Sequence, residues 1–267
     1  MSHAFLSEWI KLKRRSLFYG AYGAIAAVAV LATAVTFGTV GNASSGRGAA
    51  GSGGSSVTVA QLSASSGAIH GLQASLMLLG VIAFAIAATQ IAMEFSQGTL
   101  RNLLIRQPRR LTFLGGKYLA VVSFMVGAVV LAAGAAVATA FVMAHIKGIP
   151  TSAWTTSSGF VDLGSGLLNV VAAVVGYATV GMVLGIVLRS SVAAVAIGIA
   201  YLLPVEQILA GTVRSASSYL PGQLFSALAR GGTSDISYGH AIAGSLLYMA
   251  AAAAGGALLF VRRDVTA

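Results

Sequence analysis

Six long apolar runs dominate this chain and leave few folds open to it. They lie at about Leu17–Val40, Gly71–Met93, Lys117–Ala144, Gly166–Leu188, Val192–Thr212 and His240–Val261. Each reaches the roughly 20 residues that carry a helix across the hydrocarbon of a bilayer. The runs are continuous, which argues against the alternating pattern of a membrane barrel. Composition agrees, because 57% of the residues are hydrophobic and only 8% are charged. That is too few charges to clothe a soluble core of this size. The sequence therefore predicts an all-α membrane protein with six transmembrane helices in one domain. Cysteine is absent, so disulfides and thiolate metal sites are excluded.

A net charge of +10 on a soluble protein would suggest nucleic acid. Here its placement speaks for topology, and no nucleic-acid partner is expected. With a cytoplasmic N-terminus, the inner side holds Lys11, Lys13, Arg14, Arg15, Arg101, Arg106, Arg109, Arg110, Lys117, Arg189, Arg262 and Arg263. Only Arg47, Lys147, Arg214 and Arg230 remain outside. Twelve against four is a positive-inside bias, and it predicts a cell-membrane protein with both termini cytoplasmic. A signal peptide competes for the first run, since Ala32-Thr33-Ala34 imitates a cleavage site. The run is, however, longer than the roughly 7–15 residues of a signal core.

Before the first run, residues 2–16 have amphipathic order. At 100° per residue Phe5, Leu6, Trp9, Ile10 and Leu12 share one arc, opposite Ser7, Glu8, Lys11, Arg14 and Arg15. Lys13 interrupts the apolar side and is placed to snorkel. This predicts an interfacial helix in the inner headgroup layer, with Trp9 at the boundary and Lys11, Arg14 and Arg15 toward anionic lipid. A plain basic flank that fixes topology is the simpler reading, and the two are compatible. Residues 41–70, Gly/Ser-rich over Asn42–Ser56, read as a flexible external loop. The spacing of Gly181 and Gly185 permits close helix approach, although one such pair is unremarkable in so glycine-rich a chain.

Residues 94–116 form the longest inner loop. Leu100, Leu103 and Leu104 lie at helical spacing with Arg101 and Arg106 off their face, and Pro108 stops the helix. Glu94 and Gly98-Thr99 are read as opening that helix, where an acid suits the positive end. A solvated basic connector would explain the arginines but not the ordered apolar face. The string Glu94-Phe95 to Gly98-Thr99-Leu100-Arg101, with Leu103, Leu104, Arg106, Pro108, Arg110 and Lys117, resembles the first cytoplasmic loop of type-2 ATP-binding-cassette (ABC) exporter permeases. Ser7-Glu8-Trp9-Ile10-Lys11-Leu12 and the turn Tyr219-Leu220-Pro221 fit the same pattern. The resemblance implies a cytoplasmic coupling helix that docks on a separate nucleotide-binding ATPase subunit. It also implies a second permease subunit, identical or paralogous, and alternating access driven by closure of the ATPase pair. ATP and Mg would then be bound by that partner.

No cofactor or metal is expected on this chain. Leu111–Tyr118 lacks the first glycine of a phosphate-binding loop and ends in Tyr. His3, His70, His145 and His240 have no ligand spacing, and no nucleophile elbow occurs, so no enzyme is expected. Glu206 is the one acid clearly inside a run. An ionised acid near the midplane costs roughly 2.5–3.5 kcal/mol, which suggests either a polar element of a path or dimer seam, or an acid near the external end that snorkels or pairs with Arg214. Residues 213–239 read as an external loop, with a broken pair of short helices dipping into the outer leaflet and Pro221-Gly222 as the break. The leading expectation is an exporter permease for an apolar or amphipathic substrate. Its rivals are an ion-coupled secondary carrier and a non-transporting membrane immunity or scaffold protein.

Overall fold

The computed structural model describes residues 2–40, 57–98, 110–213 and 217–262, and all regular structure among them is helical. Among the described residues six helices are long and apolar enough to cross a membrane: Arg15–Thr39, Leu76–Ser96, Arg110–Lys147, Ser157–Leu188, Ser191–Thr212 and Tyr238–Arg262. In chain order they are the first to sixth spans, and they make this a multi-pass membrane protein. The third was expected to begin at Lys117 and instead begins at Arg110. Its 38 residues measure about 57 Å, nearly twice the roughly 30 Å of hydrocarbon. Apolar runs reveal only the part that meets lipid, so polar first turns escaped the count.

The fourth span is the most enclosed, and the second runs along it. Small residues bring the two backbones together. A Cβ on Gly181 would stand 2.4 Å from the Phe84 carbonyl oxygen, and one on Gly185 would stand 2.5 Å from that of Ala88. The Gly181–Gly185 pair, unremarkable in sequence, is therefore a packing seam. The first span lies on the third, where the Tyr22 hydroxyl donates to the Phe124 carbonyl at 3.2 Å. The fifth and sixth spans flank this core and are the least covered.

One expectation is corrected here. The supposed flexible loop over 41–70 is partly folded. Residues 41–56 lie outside the described residues, but Val59–Ser63 is a helix opened by a capping box between Thr58 and Gln61. The Trp154 indole N–H donates to the Leu62 carbonyl at 2.9 Å, and the Ser65 hydroxyl donates to the Asp162 carboxylate. The fifth span loosens at Pro204, as a proline in an apolar run leads one to expect. An α-helix over Ser191–Ala200 gives way to a wide π turn at Tyr201–Val205, and α-helix resumes at Glu206–Thr212. Pro204 lies inside the turn and lacks the N–H that would close an ordinary one.

Candidate functional site

The N-terminal helix, Ser2–Leu12, ends where Arg14 becomes extended (φ −56°, ψ 132°) and turns the chain into the first span. It packs against the third span, but not on the expected arc. Leu12 and Glu8 face the protein, whereas Leu6 and Ile10 stay 52% and 69% exposed. Glu8 and Lys11 were expected on the outward polar side. Glu8 is instead buried and Lys11 half-buried. The reason is a buried cation opposite them. Lys117 is 1% exposed, and its Nζ lies 2.6 Å from Glu8 Oε2 and 2.7 Å from Glu94 Oε1. Lys11 closes the cluster, 2.5 Å from Glu8 Oε1 and 3.2 Å from Glu94 Oε1. Two acids and two lysines balance, as charges held away from water must.

The cluster also sets the proton affinities of its outer members. Burial works against ionisation of Glu8, yet the charges and hydrogen bonds of Lys117 and Lys11 outweigh it and hold this carboxyl below its ordinary value. Burial likewise opposes the charge on Lys11, and the pull of Glu8 and Glu94 raises its affinity all the same.

Glu94 and Phe95 do not open a coupling helix. They form the last turn of the second span, which ends at Ser96 and is capped by Gln97, with Gly98 at φ +66°. An acid there faces the negative end of the helix dipole, and Lys117 compensates. Thr99, Leu100, Arg101, Leu103, Leu104 and Arg106 lie outside the described residues. The flanks of that segment are nevertheless tightly held. Phe95 meets Phe260 edge-on at 6.2 Å, and Phe113 stacks on Phe260 at 6.4 Å. The Arg189 guanidinium lies 5.5 Å above the Phe95 ring. Arg110 Nη1 donates to the Val261 carbonyl at 3.0 Å, serving the end of the sixth span. Both roots of the 99–109 segment thus belong to one block with the N-terminal helix and the sixth span.

At the other end of the bundle, Glu206 is 1% exposed and accepts a hydrogen bond from the Gln223 N–H at 2.8 Å. That N–H is in the first turn of the helix Pro221–Arg230, which has no side-chain cap of its own. Glu206 supplies one from the fifth span, where a negative group suits the helix end. Gly222 leaves the room, since a Cβ there would stand 2.7 Å from both carboxyl oxygens. The Tyr177 hydroxyl donates to the Gly222 carbonyl at 3.2 Å. Pro221-Gly222 starts this buried helix, because proline fits the first helical position. A turn over residues 218–220 separates it from helical Ser217. Arg214 lies outside the described residues.

Glu8 and Lys117 were missed as a pair. The available signal was scarcity, since the chain has six acids and Glu8, Glu94 and Glu206 are all buried. No curated protein matches the chain. A family model described as a protein of unknown function (DUF2705) matches residues 51–266, a stretch that holds Glu94, Lys117 and Glu206 but not Glu8. The chain belongs to the DUF2705 family.

Proposed function

We propose that the chain is the membrane subunit of an ATP-driven exporter of the type-2 ABC kind. A soluble ATPase subunit would dock on the inner loop between the second and third spans. A second permease subunit, identical or paralogous, would complete the path. The observation that carries this reading is the ion cluster: Lys117 holds Glu94 on one root of the loop and Glu8 on the N-terminal helix. A push on the loop would reach three elements at once, because a paired, buried cluster is costly to open. The Phe95–Phe260 and Arg110–Val261 contacts would extend that reach to the sixth span. In this reading ATP and Mg stay with the partner, and the permease supplies an apolar or amphipathic substrate with its route. The helix Pro221–Arg230 would then be a re-entrant element at the outer leaflet, held by Glu206.

Co-purification and transport test this. Gly98 has a positive φ that proline cannot adopt, so Gly98→Pro would distort the loop root while leaving the spans intact. The expected result is loss of ATPase association and of ATP-driven transport in a protein that still elutes as a single species. Undiminished association and transport would refute the docking role. Substrate movement by the unpaired chain under an ion gradient would favour the secondary carrier.

A further inference from the structure

The N-terminal helix consumes the acids around it and leaves cations over. Glu8 and Glu94 are engaged by Lys11 and Lys117. Asp162, Glu206 and Asp235 belong to parts of the fourth span, the fifth span and the loop before the sixth that lie toward the opposite end. The sixth acid, Asp264, lies outside the described residues. Lys13, Arg14 and Arg15 are exposed, and none takes part in an ion pair among the described residues. Beside them Leu6 and Ile10 face away from the protein, 52% and 69% exposed. The basic groups therefore sit in the turn between the short helix, which ends at Leu12, and the first span, which starts at Arg15. The outward apolar groups lie on the helix itself.

We propose that anionic phospholipid headgroups are the counter-ions of Lys13, Arg14 and Arg15, and that they seat at the turn where this helix meets the first span in preference to neutral lipid. Leu6 and Ile10 match the acyl boundary just beneath a phosphate layer. Bound there, the headgroups would hold in place the helix that presents Glu8 to Lys117. The inference extends the coupling reading, and its test needs no ATPase, so the two can fail separately.

The chain carries its own reporter. It has two tryptophans: Trp9, partly buried on this helix and stacked on Phe5 at 5.9 Å, and Trp154, 4% exposed at the opposite end. The full chain is placed in phosphatidylcholine vesicles containing acyl-brominated phosphatidylglycerol or acyl-brominated phosphatidylcholine, and tryptophan quenching is read. Charge attraction is worth about fivefold per cation, so the brominated anionic lipid should win by at least about fivefold at low salt. The preference should vanish near 0.5 M salt, where screening acts within about 4 Å. It should also vanish in the Lys13→Gln, Arg14→Gln, Arg15→Gln triple variant. Should that variant not insert, the salt series on the unchanged protein decides. Equal quenching by the two lipids at low salt would overturn the proposal, and so would a preference indifferent to salt.

Discussion

Lys117 is the residue on which most of the inner end depends. Lysine this deep is tolerated because two carboxylates meet it within 2.7 Å. Removing one partner of a buried pair leaves uncompensated charge behind. Lys117→Met should therefore cost about 3 kcal/mol, read as a fall in the thermal unfolding midpoint in detergent. Adding Glu8→Gln should recover part of it, because the pair acts as a unit. A loss equal to the sum of the single effects would show that they do not interact. The same cluster fixes a pH window. Glu8 is held below its ordinary value of 4.5, so its contribution is complete above pH 4.5 and disappears as pH falls through the folded value. Lys11 is raised above 10.5, so its contribution is complete below pH 10.5 and is lost as pH climbs through the folded value. Stability from the cluster should form a plateau between these limits, and Glu8→Gln should flatten the acid side.

At the scale of elements, the helix Pro221–Arg230 depends on a cap borrowed from the broken fifth span. Gly222→Ala would place a methyl group 2.7 Å from both oxygens of Glu206 and push the carboxylate off the Gln223 N–H. A lost cap costs about 1 kcal/mol, and Glu206→Ala should cost at least as much. Glu206→Gln keeps an acceptor and should cost less. Gly211→Ala is the control, since nothing lies within 4 Å of a Cβ there. Stability measurements in which Gly222→Ala matched that control would refute the cap. The sequence made Glu206 conspicuous through its position in an apolar run, yet its partner is a backbone N–H 17 positions away. Backbone donors leave no mark in composition. Glu8 failed for a different reason. Amphipathic periodicity assumes one apolar and one wet face, whereas this helix buries an acid because the third span presents Lys117 to it.

For the whole molecule, the six spans were legible because apolar runs of this length have one solution in lipid. Their polar ends were not, since hydropathy falls away before the helix does. Arg110–Gly116 and Ser157–Ser165 continue the third and fourth spans past the apolar runs read in sequence. The orientation of the bundle rests on charge, and an even number of spans puts both chain ends on one side. The end carrying Lys11, Arg110, Lys117, Arg189 and Arg262 should face the cytoplasm. Because the chain has no cysteine, a single introduced thiol reports sidedness without background. Gln97 and Ser234 are both exposed, the first at the end of the second span and the second before the sixth. An impermeant maleimide added to intact cells should label Ser234→Cys and spare Gln97→Cys until the membrane is opened. The reverse pattern would place the loop between the second and third spans outside, beyond reach of any cytosolic ATPase. The ion cluster would then be a structural lock facing the exterior, and coupling through it would have no driver.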